Sequence, residues 1–147
     1  MLKVIRAKLH GIFVTDANLN YHGSITLDPF YCKMAQIYPL EFVEIWNKNN
    51  GARFSTYVIY GEENSRCCIL NGAAARNCQK GDEIIIGAYK FCSENELTKF
   101  RPKILTFNAD NSLSSTLEYH VDEKGDWYDF SIVEKPALEQ SISYGAL

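Results

Sequence analysis

Asn50-Gly51-Ala52-Arg53-Phe54-Ser55-Thr56-Tyr57-Val58-Ile59-Tyr60 is the stretch that decides the fold. Asn-Gly is a hairpin turn signal, and the β-branched and aromatic run after it reads as a strand over 53–60. Phe42-Val43-Glu44-Ile45-Trp46 lies just before the turn and alternates apolar and polar residues, so the two runs form a hairpin. Further short strands are predicted at 2–9, 12–15, 24–27, 67–70, 84–91 and 104–107. Asp28-Pro29 reads as an N-cap and first helical residue. Phe30, Met34 and Ile37 then give a short helical stripe that Pro39 stops. Ser93 and Glu96 fit a capping box over one helical turn. Many short strands with one or two short helices predict a mainly β chain, a small barrel.

The rest of the chain sets limits. Its 147 residues fit one domain with its own core. Fifteen basic against 18 acidic residues leave a net charge of -3, which disfavours a general nucleic-acid binder. No apolar run is long enough to span a bilayer, and Met1-Leu2-Lys3-Val4-Ile5-Arg6 has no signal-peptide core. Cys32, Cys67, Cys68, Cys78 and Cys92 are odd in number and match no zinc-ligand spacing, so they read as reduced, half-buried thiols of a cytoplasmic protein without a metal. The texture changes near Ala109. Residues 108–115 are polar and linker-like, and 117–121 and 127–133 flank Asp122-Glu123-Lys124-Gly125. A hairpin packed on the barrel or a neighbour, or partial disorder, is expected there. The organisation read is a barrel over 1–108 and an extension over 109–147.

Four stretches offer chemistry. Lys8 and His10 are two apart on a strand and share a face, either a solvated edge or part of a site. Gly23-Ser24 is either a turn entering a strand or a self-cleaving bond, since glycine holds backbone shapes other residues cannot. Arg53 and Tyr57 share a face of their strand, and Thr56 faces the other way. Asn71-Gly72-Ala73-Ala74-Ala75 lets a ligand or another chain approach the backbone, whose N–H groups can bind an anion.

Together, these stretches resemble the pyruvoyl-dependent aspartate 1-decarboxylases. The matching text is Lys-Leu-His at 8–10, Thr-Asp-Ala-Asn-Leu-Asn-Tyr at 15–21 and Gly-Ser at 23–24. Asn-Gly-Ala-Arg-Phe-Ser-Thr-Tyr at 50–57, Asn-Gly-Ala-Ala-Ala at 71–75 and Gly81-Asp82 with Ile84-Ile85-Ile86 complete it. The resemblance covers roughly 1–108. It implies a double-psi β-barrel that assembles as a homotetramer with active sites between subunits. It also implies a carboxy-lyase that turns L-aspartate into β-alanine and CO₂ for pantothenate and coenzyme A biosynthesis.

The implied electron sink is a pyruvoyl group made from Ser24, with no metal and no pyridoxal phosphate. The Ser24 hydroxyl attacks the Gly23 carbonyl, the chain cuts there, and the pyruvoyl group left at position 24 takes the substrate amine as a Schiff base. Thr56 is implied in the cleavage, by steadying the oxyanion. A twist or bulge is expected to reconcile its facing with that of Tyr57. Tyr57 is the implied proton donor, and a phenol near pKa ~10 holds its proton at neutral pH. Arg53 can grip a carboxylate with its planar fork, Lys8 adds a point charge and His10 a further donor. Asn71 with the backbone of Gly72, Ala73, Ala74 and Ala75 is expected to position substrate. Trp46 and Tyr21 match pocket positions, and each could equally be core. His22 has no assigned role. Alternatives are a pyruvoyl decarboxylase for glutamate or another amino acid, or an unprocessed barrel acting as a binding protein. The acidic pair of a basic-substrate site is absent where Arg53 and Lys8 stand. Whether cleavage needs a maturation factor is open at this level.

Overall fold

The computed structural model describes residues 1–136; the end of the 109–147 extension lies outside them. The described chain is mainly β, with ten strands, one α-helix and two 3₁₀ turns. The strands are β1 (Leu2–Phe13), β2 (Asp16–Asn18), β3 (Ser24–Leu27), β4 (Phe42–Asn47) and β5 (Arg53–Tyr60). They continue with β6 (Cys68–Asn71), β7 (Glu83–Cys92), β8 (Lys103–Phe107), β9 (Leu113–Lys124) and β10 (Trp127–Pro136). The helix α1 spans Pro29–Ala35.

The strands run in the order β10-β9-β8-β1-β7-β4-β5-β3-β6-β2. Three pairs are parallel, β1 with β8, β2 with β6 and β3 with β5, and the others are antiparallel. Only Val14 and Thr15 separate β1 from β2, yet β2 lies at the far edge. The chain therefore draws that edge back beside β1 and curls the sheet into a small barrel. Sequence-distant strands lying side by side accord with the double-psi barrel. Leu9, Ile12, Ile25, Leu27, Ile45, Val58, Leu70, Ile84, Ile86 and Leu105 fill it.

Residues 2–9 and 12–15 were expected as two strands; they form one strand and its exit. The register slips between Ile5 and Ala7 and again between His10 and Ile12. Gly11, at φ +78°, occupies the second slip. Each bulge adds a residue, so the inward set changes from Ala7 and Leu9 to Ile12 and Val14 without breaking the strand. The helix likewise stops earlier than Pro39: Gln36 takes the left-handed conformation and closes it. β2 was not foreseen, because three residues are too few to show a period. The capping box at Ser93 and Glu96 is present.

Asp28 caps α1 and does more. Its buried carboxylate accepts backbone N–H bonds from Phe30 at 2.9 Å, Asn64 at 3.0 Å and Arg66 at 2.8 Å. Asn64 and Arg66 both hold positive φ, so the carboxylate pins a strained loop beside the barrel. Asp28→Ala removes the cap and the carboxylate that accepts from Asn64 and Arg66. A loss of about 3 kcal/mol is expected, read as a lower urea midpoint at an unchanged slope.

Residues 108–115 are polar and partly exposed, but they form a hydrogen-bonded turn into β9 that is anchored at Asn111. Asn111 is 2% exposed, and its amide bonds both the N–H and the C=O of Phe13 at 2.8 Å and the Arg66 carbonyl at 3.1 Å. A short polar side chain making three backbone bonds looks in sequence like any loop asparagine. From this anchor β9 pairs with β8, and β10 pairs with β9.

Candidate active site

Alternation along β5 puts Phe54, Thr56 and Val58 toward the core and Arg53, Ser55 and Tyr57 on the outer face. On β4 the outer residues are Phe42, Glu44 and Trp46. The registers align these with their neighbours. Arg53 pairs with Trp46, Trp46 with Ile85, and Ile85 with His10. Ser55 pairs with Glu44, Glu44 with Gly87, and Gly87 with Lys8. Two adjacent rows across four strands thus gather Lys8, His10, Trp46 and Arg53 on one outer face.

Gly87 shapes this face. A Cβ there would stand 3.2 Å from Cη2 of Trp46 and 3.1 Å from Cδ1 of Ile5, so the indole lies against bare backbone. A lone glycine inside Ile84-Ile85-Ile86-Gly87-Ala88 is a sequence signal for such close approach, and it went unread. The Arg53 guanidinium sits 4.7 Å from the indole centroid. A cleft of about 290 Å³ opens there, lined by Glu44, Trp46, Arg53, Phe54 and Ser55. Trp46 is therefore a cleft wall and not core. Lys8 lies 5.3 Å from the Tyr119 ring of β9.

His10 has its pKa lowered from 6.5, first by burial, then by the Lys8 and Lys48 charges, with Glu83 opposing. It is a neutral donor or acceptor at pH 7; the two rows also carry Lys8, Arg53 and Glu44, the last paired with Lys3 Nζ at 2.7 Å. Between the lowered folded value and 6.5 the unfolded chain binds more protons. The His10 contribution to stability is thus complete above 6.5 and lost as pH falls toward the folded value. Its ring resonances, followed by NMR against pH, should titrate below 6.5; a midpoint at or above that would contradict the burial.

A second group lies where β3 meets β6. Ser24 pairs with Asn71, and the two are 1% and 3% exposed. The Ser24 hydroxyl donates to the His22 carbonyl at 3.3 Å. The Asn71 amide donates to Ser24 Oγ at 3.0 Å and to Thr26 Oγ1 at 2.8 Å. Gly72, at φ +65°, begins the 3₁₀ turn Gly72–Arg76 that carries Ala73, Ala74 and Ala75. A Cβ on Gly72 would fall 2.7 Å from Gly23 Cα and 2.9 Å from the Tyr21 carbonyl. Only glycine fits so close to the Gly23-Ser24 bond. Tyr21 itself is half exposed beside the exposed His22 ring. Position 22 thus contributes a backbone carbonyl and not a side chain.

β3 and β5 are parallel from the pair Ile25 and Val58 onward. One step back along the same register sets Tyr57 beside Ser24, where β3 begins; Gly23 lies before the strand. Thr56 is 9% exposed and faces inward, while Tyr57 faces outward with its ring 5.8 Å from that of Phe42. The β4–β5 ladder runs through both without a shift, so no bulge reconciles their facings.

Arg53 and Tyr57 are four residues apart on β5, about 13 Å at ~3.3 Å per residue. Among the described residues no cluster of three or more His, Cys, Asp and Glu is placed to hold a metal ion.

The family model described as aspartate decarboxylase matches residues 1–114. The chain belongs to the aspartate decarboxylase family. The aspartate 1-decarboxylase of Methylobacterium nodulans is 59% identical over 147 residues, 99% of this chain and 96% of the relative. That of Paramagnetospirillum magneticum is 64% identical over 137 residues, covering 91% of this chain and 76% of the relative. That of Rhodospirillum centenum is 58% identical over 144 residues, covering 97% and 95%. The match to the aspartate decarboxylase family spans both groups of residues. The first relative also aligns through the β9–β10 hairpin, beyond the family match. No helix among the described residues is long and apolar enough to cross a membrane.

Proposed function

We propose that this chain cuts itself between Gly23 and Ser24 and then decarboxylates L-aspartate to β-alanine and CO₂, supplying pantothenate and coenzyme A synthesis in the cytoplasm. The observation that carries the reading is the buried Ser24 hydroxyl beside a glycine peptide, held by Asn71 and backed by Gly72.

The cut follows from these groups. Ser24 Oγ adds to the Gly23 carbonyl carbon, its proton leaves, and the peptide nitrogen departs as an amine, giving an ester. The Thr56 hydroxyl, on β5 two residues before the Val58 that pairs with Ile25, steadies the charged oxygen of the addition. The Ser24 α-proton then goes to water as the Cβ–Oγ bond breaks, and Oγ leaves within the new Gly23 carboxylate. Water replaces ammonia on the remaining residue, leaving a pyruvoyl group at position 24. The site fits that group: it is buried, its neighbours are an amide and small residues, and it needs no metal. When present, the group supplies a ketone that takes up the substrate amine and accepts electrons as CO₂ departs.

The chain's own residues do the rest. Arg53 grips one carboxylate through two parallel N–H bonds. Lys8 adds charge and His10 a neutral hydrogen bond. Trp46 stacks on the guanidinium and keeps its fork in plane. Tyr57, beside Ser24 by register, returns a proton to the substrate α-carbon. Asn71 and the N–H groups of the turn from Gly72, with Ala73, Ala74 and Ala75, orient the substrate.

The reading includes a homotetramer in which the cationic face of one subunit serves the Ser24 group of another, and a barrel over 1–108 as the catalytic unit.

Purified protein incubated with L-aspartate and, separately, with L-glutamate tests the reading. β-Alanine from aspartate alone is expected. A chain cut at 23/24 that forms no β-alanine would overturn the substrate assignment, and product from glutamate would move it one methylene longer.

A further inference from the structure

We infer that Thr26 is a positioning residue for the self-cleavage, acting through Asn71. This rests on the self-cleavage proposed above. Thr26 lies two residues beyond Ser24 on β3 and so faces the same way. The Asn71 amide nitrogen has two protons. One goes to Ser24 Oγ at 3.0 Å and the other to Thr26 Oγ1 at 2.8 Å. Both donors of a side chain only 3% exposed are thereby matched.

The arrangement serves the second step of the cut. As the Cβ–Oγ bond breaks, electron density gathers on Oγ, which becomes a carboxylate oxygen of Gly23. A donor already aimed at Oγ stabilises that charge as it forms and has no reorganisation to undergo. The Ser24 proton is left free to point at the His22 carbonyl. An amide can present either its nitrogen or its oxygen to Oγ, and the two have nearly the same shape. With the hydroxyl of Thr26 gone, the nitrogen orientation strands one buried N–H. The amide then gains by turning, and its aim at Oγ is lost. The Thr26 methyl lies against Gly61, where a Cβ would stand 2.9 Å from Cγ2. Valine keeps that methyl contact and removes only the hydroxyl.

The test follows cleavage of the full chain in a pulse–chase experiment, with the cut fraction read by mass spectrometry. Thr26→Val and Thr26→Ala should cut at the same bond about fivefold more slowly, the worth of one neutral hydrogen bond. Thr26→Ser, which restores the hydroxyl, should cut at the wild-type rate. Thermal midpoints identify a variant that has not folded, and the two hydroxyl-free variants stand in for each other. Wild-type rates for Thr26→Val, or a serine variant as slow as valine, would overturn the role of the hydroxyl while leaving self-cleavage standing. A wild-type chain that stays whole would instead remove the self-cleavage reading, and this inference with it.

Discussion

Ser24→Ala is expected to leave one uncut chain of 147 residues, folded and without decarboxylase activity. The substitution removes one oxygen. That oxygen is the nucleophile of the cut, the atom that departs with Gly23, and the acceptor of the Asn71 amide. Alanine leaves the barrel intact, since the core lies on the other face of β3, at Ile25 and Leu27. It does leave a buried Asn71 donor unmatched, so a stability loss of about 1–2 kcal/mol should accompany the loss of activity. The effect on turnover comes from the missing electron sink for the electrons released with CO₂. An uncut variant that still made β-alanine would remove the pyruvoyl mechanism. Gel mobility and a β-alanine assay on the same sample decide it.

Tyr57→Phe separates the cut from the turnover. Phenylalanine keeps the ring, and with it the contact to Phe42 at 5.8 Å. It loses the phenolic proton. Processing should run at the wild-type rate, because Tyr57 lies beside Ser24 but the bonds of Ser24 Oγ go to the Asn71 amide and the His22 carbonyl. Turnover should fall at least about 100-fold, the usual worth of a positioned general acid. Both kcat and kcat/KM should drop together, since the proton moves after the substrate is bound. Normal turnover by the cut variant would show that another group protonates the α-carbon.

The fold was legible wherever one face of a strand was buried and the other wet. β4 and β5 show this plainly: Val43, Ile45, Thr56 and Val58 alternate with outer residues, and the Asn50-Gly51 turn joins them. Legibility failed where a local irregularity broke the period. Gly11 moves the inward set of β1 by one residue, so one strand looked like two. It failed again where a single residue anchors two distant strands. Asn111 ties β1 to the loop before β6, and nothing in Asp110-Asn111-Ser112 announces it.

The candidate site shows the same division. Lys8, His10, Arg53 and Tyr57 could be placed on faces from strand parity alone. That Lys8, His10, Trp46 and Arg53 share two rows depends on the order β1-β7-β4-β5, which no spacing in the sequence encodes. Thr26 and Gly87 were passed over because each looks like an ordinary strand residue until its neighbour across the sheet is known.

Intact-protein mass spectrometry of the purified, denatured protein reads the cut between Gly23 and Ser24 directly. Two pieces of 23 and 124 residues are expected, the larger lighter by one ammonia than a chain beginning with free serine. A single species of 147 residues from protein that forms β-alanine would contradict the cut.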